Sequence, residues 1–374
     1  VASPPIVLVT GVTGFVGREV GRSLLARGHS LIALTRARDG APAAARVASA
    51  LGVPAGDGRV SVIEGDLGAP ACGIDGAGWR TLRASVATVI HCAGDTAFAP
   101  DRLEPYEAAH VGGPRRLLEG LAPGRLRRWV HVSTAYVCGQ REGVIHESDG
   151  DVGQTFTNVY ERVKLASESA VVAAGARAGV PVRIARPAIV AGAAPVTGGG
   201  APSNLFFDFV RLGATLASLG AGRPVPLRIE AAAHAPFNFV PVDYVAAALV
   251  HLAEAPAADS GPFHLVAHRA PTQATVLETI TARLGVRGLS LVDALADPTP
   301  LERRVARMLR PYRSYLARRL VFDDANARRA LPREIADRAT LSPATLHALI
   351  DLALTSAVTR APDARVAFAA GGGA

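Results

Sequence analysis

A strand that runs into a glycine turn and then into a helix leaves a chain few folds to choose from. Residues 6–20 read IVLVTGVTGFVGREV, an apolar run followed by Gly11, Gly14 and Gly17 and then by helix-forming sequence. Such a turn presents the N–H groups of a helix N-terminus with no Cβ in the way, which suits a pyrophosphate. Thr13, Phe15 and Val16 share the loop. Three glycines alone would be a weak signal, but their place between strand and helix makes it specific. The same rhythm continues: apolar runs at 6–10, 31–35, 60–64, 88–91, 129–133 and 182–186 alternate with helical stretches such as 17–27, 103–121 and 158–174. That alternation predicts βαβ units and a parallel sheet.

At 374 residues and 49% hydrophobic, the chain buries a large core and suits one domain with a smaller lobe. Cys72, Cys92 and Cys138 form no CxxC pair, so neither a disulfide framework nor a zinc site is indicated, and a reducing, cytoplasmic setting is expected. The opening VASPPIVLVTG has no basic leader, and no run of about 18 apolar residues follows, so no integral membrane segment is expected. A formal charge of +8 suits a phosphorylated cofactor or an acidic partner such as a carrier protein. The arginines read as scattered, so no nucleic-acid partner is expected.

Three regions follow. Residues 1–190 hold the dinucleotide-binding pattern, 191–300 read as a substrate lobe interleaved with the sheet, and 301–374 as a C-terminal helical extension. In the lobe, NLFFDFVRLGATLASLG at 204–220 brings three of eleven phenylalanines together, which suits an apolar substrate wall or a buried helix. In the extension, Ser342 and Pro343 give an N-cap and first helical residue ahead of Leu346, Leu349, Ile350 and Ala353 on one face.

The end of the second strand separates the two nicotinamide cofactors. An acid there bonds the ribose 2′-hydroxyl, whereas an arginine accommodates a 2′-phosphate. Here the run is Leu34-Thr35-Arg36-Ala37-Arg38, so NADPH is expected, with Arg36 and Arg38 on the phosphate. Asp66 and Leu67 end the third strand, where a carboxylate meets the adenine amino group or caps its own turn. Ala93 and Gly94 follow the fourth strand and allow a close approach of the cofactor.

Lys164 is the only lysine among forty basic residues, and it stands four residues after Tyr160. On a helix the two side chains share a face. An ammonium beside a phenol is expected to lower its pKa, and a compact cation also reaches ribose hydroxyls, which a planar guanidinium fits poorly. Ser133 and Thr134 end the fifth strand, and one hydroxyl is expected to hold a substrate carbonyl while Tyr160 supplies a proton. Thr134 is the choice for that contact, with Ser133 and Thr96 on the substrate side.

With these residues in hand, the chain resembles the extended short-chain dehydrogenases/reductases over roughly residues 5–270. GDLGAPACGIDGAGWRTL, VIHCAGDTAF, HVSTAYVCG and FVPVDYVAAALV look most similar to the thioester-reductase and fatty-acyl-reductase branch, which has a male-sterility-like NAD-binding domain. The resemblance implies a Rossmann-type doubly wound parallel α/β sheet with a smaller, mostly helical substrate lobe. It implies a catalytic set of Thr134, Tyr160 and Lys164, with Pro187, Ala188 and Ile189 beside the nicotinamide. It departs from the family in HVGGP, which puts His110 where an asparagine is usual. The function implied is NADPH-dependent reduction of an apolar carbonyl, an acyl thioester on a carrier protein or coenzyme A, to aldehyde or alcohol. Nucleotide-sugar epimerases or dehydratases and hydroxysteroid-type dehydrogenases share the scaffold and form the alternative.

Overall fold

The computed structural model describes residues 6–36, 40–192, 204–255 and 261–358. Its strands in chain order are β1 (Ile6–Thr10), β2 (Leu31–Thr35), β3 (Val60–Glu64), β4 (Val86–His91), β5 (Arg128–Val132), β6 (Gly143–Ile145), β7 (Val182–Pro187), β8 (Ile189–Ala191), β9 (Leu227–Glu230), β10 (Phe239–Pro241), β11 (Pro262–Leu265), β12 (Leu289–Val292) and β13 (Leu320–Phe322). The chain divides into two units.

The first unit comprises residues 1–188, 242–268 and 320–339. It holds a seven-stranded sheet in the order β11-β7-β5-β4-β1-β2-β3, with every neighbouring pair parallel. Strands buried on both faces need unbroken apolar sequence, and β2 (LIALT) is buried along its whole length, whereas the edge strand β3 is half open. On one face Leu117, Leu118 and Leu121 of helix Gly113–Leu121 and Ala174 of helix Val159–Ala178 close over Leu8, Val89 and Trp129. On the other, helix Val242–Glu254 packs on β4, β5 and β7 and against helix Phe15–Ala26. Enclosed on nearly every side, it is apolar around most of its circumference. The order reverses between β1 and β4, and in sheets of this kind ligands bind at the carboxyl ends of the strands beside such a reversal.

The second unit comprises residues 189–241, 269–319 and 340–374. Two parallel ribbons, β8 with β10 and β9 with β12, accompany helices Leu205–Gly220, Gln273–Leu284, Pro300–Leu309 and Pro343–Val358. Phe206, Phe207 and Phe209 are buried, and the Phe206 ring stacks on Phe239 at 4.9 Å. The aromatic run is therefore a buried core helix. Ser342 caps the last helix through the Thr345 N–H at 3.1 Å, and Leu346, Leu349, Ile350 and Ala353 are its buried face.

The stretch 103–121 is helical throughout, as expected, with a π turn at Ala108–Gly112 between Leu103–Glu107 and Gly113–Leu121. Pro114 lacks an N–H, which the wide turn before it accommodates, and that turn directs His110 inward. One sequence expectation is corrected. The residues from 301 onward are shared between the units, because β13 pairs with β6 and the N–H groups of Asn326 and Ala327 bind the buried Glu147 carboxylate. Strands of three or four residues carry too little alternation to be read from sequence.

Candidate active site

The glycine turn has the geometry its sequence predicts. Gly11 has a φ of 71°, and a Cβ on it would stand 2.7 Å from the Ala93 nitrogen. A Cβ on Gly17 would overlap the Gly11 carbonyl. Helix Phe15–Ala26 begins at Gly14 with no side-chain cap, and Phe15 and Val16 are half-buried in its first turn. A cradle that side chains would fill, at an uncapped helix N-terminus, fits a dinucleotide pyrophosphate.

Arg36 is exposed immediately after β2, while Arg38 lies outside the described residues. Sequence reading missed Arg46 on helix Ala43–Leu51. Its guanidinium donates to the Arg36 carbonyl (2.7 Å) and to Thr13 Oγ1 (3.4 Å), so one side chain ties the glycine loop to the end of β2. An arginine eleven residues past the strand end was the only available signal. Asp66 accepts from the Gly68 N–H at 2.9 Å and so closes its own turn, and the Leu67 carbonyl accepts from Arg116 at 2.7 Å. Ala93 donates its N–H to Thr10 Oγ1, and Gly94 is exposed beside the His110 ring.

The tyrosine and lysine share a helix with strong ends. Asn158 caps Val159–Ala178 by accepting from the Glu161 N–H (3.0 Å), Glu161 answers by accepting from the Thr157 N–H (2.8 Å), and Gly179 closes it at φ 66°. Tyr160 is half-buried, hydrogen-bonded to the Thr134 side chain, and its ring lies 6.4 Å from that of Phe98. Lys164 is 6% exposed and donates to the Val132 carbonyl at 2.5 Å. The expectation that the ammonium lowers the phenol pKa is not met. Burial pushes Tyr160 up to about 12 against the Thr134 hydrogen bond, and burial pulls Lys164 down to about 8 against the pull of Glu168 and Cys92. At neutral pH the phenol therefore holds its proton, the form a proton donor requires.

Around this pair the polar groups are buried and mostly neutral. Thr10 bonds His91 Nδ1 (2.9 Å), the His91 ring stacks on His131 at 5.1 Å, and Ser167 bonds His131 (3.2 Å) and the His110 carbonyl (2.6 Å). Burial first, and Lys164 second, drive the pKa values of His91 and His131 well down. His110 accepts the Asp95 N–H at Nε2 (2.7 Å) and donates from Nδ1 to the Tyr106 carbonyl (2.7 Å), so it fastens the loop after β4. Ser133 is 3% exposed, and its hydroxyl has no hydrogen-bond partner among the described residues. Thr96 is exposed in the loop before Phe98, the aromatic neighbour of Tyr160 that sequence did not single out. Pro187 ends β7, the Ala188 N–H bonds the Leu265 carbonyl, and Ile189 opens β8 in the second unit. No cluster of three metal-ligating side chains occurs among the described residues, and none of their helices is long and apolar enough to cross a membrane.

The sequence profile of the male sterility protein family, an NAD-binding family, matches residues 9–249. The chain belongs to this family. Male sterility family proteins are extended short-chain dehydrogenases/reductases, NAD(P)-binding oxidoreductases, and the doubly wound sheet accords with that assignment. The carboxylic acid reductase of Mycobacterium tuberculosis is 28% identical over 275 residues, which cover 66% of this chain and 23% of that protein. This male sterility family chain thus spans about a quarter of that relative's length. Among solved structures, the terminal R domain of the myxalamid PKS-NRPS biosynthetic pathway superposes with a TM-score of 0.75 at 22% identity, covering 96% of this chain and 92% of that one. The UDP-glucuronic acid 4-epimerase of Bacillus cereus, in complex with NAD, gives 0.65 at 16% identity, covering 93% and 96%. At these identities the likeness is one of fold.

Proposed function

We propose that this chain reduces an acyl thioester, borne by a carrier protein or coenzyme A, to an aldehyde or alcohol with NADPH as the reductant. The observation that carries the reading is geometric: Tyr160 and the sole lysine stand one turn apart on helix Val159–Ala178, in a chain that also carries the open glycine cradle of an oxidoreductase family. The carboxylic acid reductase and R-domain relatives support the substrate class.

NADPH, when bound, supplies the hydride. Gly11, Gly14 and Gly17 with the backbone of Thr13, Phe15 and Val16 would receive its pyrophosphate, and Arg36, Arg38 and Arg46 its 2′-phosphate. Asp66, Leu67, Ala93 and Gly94 would line the adenosine side, and Pro187, Ala188 and Ile189 the nicotinamide. Thr134 orients the substrate carbonyl, and the buried, unpartnered Ser133 hydroxyl stands ready as a further donor, with Thr96 toward the substrate. Tyr160 gives its proton to the carbonyl oxygen as negative charge develops there, and Lys164 places a cation behind it. An arginine where NAD-dependent sugar-nucleotide enzymes need an acid speaks against the epimerase reading.

The test follows loss of reduced-nicotinamide absorbance with NADPH or NADH against acyl thioesters and UDP-sugars. Thioester-dependent oxidation, preferring NADPH, is the expected result. Turnover of a UDP-sugar with tightly retained NAD, and none with any thioester, would replace the proposal with the epimerase reading.

A further inference from the structure

Although the arginines are spread along the chain, one segment of the second unit concentrates them. Between Pro300 and Arg319 stand seven arginines and one acid, Glu302, in a chain whose whole formal charge is +8. Helix Pro300–Leu309 opens on a complete capping box of Thr299 and Glu302 and turns Glu302, Val305 and Leu309 inward. Glu302 is 3% exposed and lies 2.7 Å from Arg228, whose guanidinium holds the carboxyl well below its ordinary range. The segment's single acid is therefore spent on the inner side, and Arg313 is matched to Glu230 at 2.8 Å. Outside, Arg303, Arg307 and Arg310 are exposed and have no carboxylate partner among the described residues. They rim a cavity of about 410 Å³ floored by the apolar side chains of Val305, Leu309 and Leu316.

Like charges held together over an apolar hollow are an arrangement that an isolated surface has no reason to keep. Exposed helices ordinarily interleave the two signs. We propose that this face docks an acidic helix of the carrier protein that presents the acyl thioester, with one apolar side chain of that helix seated in the cavity. The inference rests on the carrier-borne reading of the substrate above. A free phosphate or a nucleic acid backbone would answer the arginines and leave the floor uncovered, whereas an amphipathic acidic helix answers both. Charges at the rim of such a contact act mainly on the rate of encounter, so salt should weaken it.

The experiment uses the whole chain and the double variant Arg307→Glu/Arg310→Glu. Each is given an acidic acyl carrier protein charged with a dodecanoyl thioester, and separately the N-acetylcysteamine thioester of the same acid. The variant is expected to lose about tenfold or more in kcat/KM on the carrier-borne substrate, through KM, with the small thioester and the melting temperature unchanged. Raising salt from ~50 to ~300 mM should narrow that gap, since the Debye length shortens over this range. Equal rates of the two proteins on the carrier, or equal losses on both substrates, would overturn the docking surface and leave the reductase reading standing. If neither protein turns over either thioester, the reductase reading has failed. Fluorescence anisotropy of labelled carrier then decides the surface without turnover: weaker binding by the variant supports it, and equal binding, or arginine-dependent binding of duplex DNA alone, overturns it.

Discussion

The two units of this chain spend their buried volume on opposite things. In the first, the carboxyl ends of β4 and β5 collect Lys164, His91, His131 and His110, all less than a tenth exposed. In the second, the corresponding volume is filled by the rings of Phe206, Phe207, Phe209, Phe237 and Phe239, and the arginines stand outside. Burying ionisable groups costs stability that burying phenyl rings supplies. The difference teaches that the first unit accepts a cost around the proposed active site, and that the second gives its interior to aromatic packing.

That contrast breaks most directly at two positions. Tyr160→Phe removes one hydroxyl and keeps the ring against Phe98, so it should cost roughly 10²–10⁴ in kcat, the range of a lost general acid, with little change in melting temperature. Steady-state NADPH oxidation beside differential scanning calorimetry measures both. Phe206→Ala should do the reverse to stability, lowering it by about 3–5 kcal/mol, because a fully buried ring stacked on Phe239 leaves a cavity its neighbours fill only partly. If urea unfolding shows a loss under ~1 kcal/mol, the second unit is not the tight aromatic core described.

A pH titration sharpens the comparison within the first unit. His264 is fully buried, donates from Nδ1 to the Asp323 carbonyl at 2.7 Å and has no partner at Nε2 among the described residues. Burial lowers its pKa from 6.5 to about 4, so between those values the unfolded chain binds the proton and the folded chain does not. The stability this neutral imidazole contributes is complete above pH 6.5 and lost as pH falls toward 4, a change on the order of 3 kcal/mol. His91 and His131 act in the same direction. His264→Gln should flatten the slope of unfolding free energy against pH in that window; an unchanged slope would assign the acid sensitivity elsewhere.

The smallest effect concerns the cofactor. Arg46→Ala should raise the KM for NADPH by roughly tenfold, the worth of one charge-assisted hydrogen bond, and leave that for NADH nearly unchanged. Equal changes for both would mean that Arg46 holds only the loop between Thr13 and Arg36.

What could be read from the sequence was what the chain writes within a few residues of itself. The glycine turn, the tyrosine and lysine one helical turn apart, and the Ser342 cap depend on neighbours along the chain, and each stands where it was expected. Arg46 meets Thr13 across 33 positions, and the imidazole stack joins His91 on β4 to His131 on β5. Such partners share no local pattern, because a parallel sheet brings together segments separated by whole helices. The direction of the Tyr160 pKa failed for a related reason. Spacing places the lysine, but only the surrounding packing reveals that burial governs the phenol and that the ammonium points to Val132.

The division of the chain bears on how this protein can be made and recombined. The sheet's last strand, β11, arrives at residues 262–265, and the partner of β6 only at 320–322, after most of the second unit has been synthesised. On the ribosome β7 must therefore wait with an open edge, a state that invites pairing with other chains. No single cut separates the units either, because the path passes between them after residues 188, 241, 268, 319 and 339. A chimera that exchanges the second unit must replace three separate stretches and leave 242–268 and 320–339 in place.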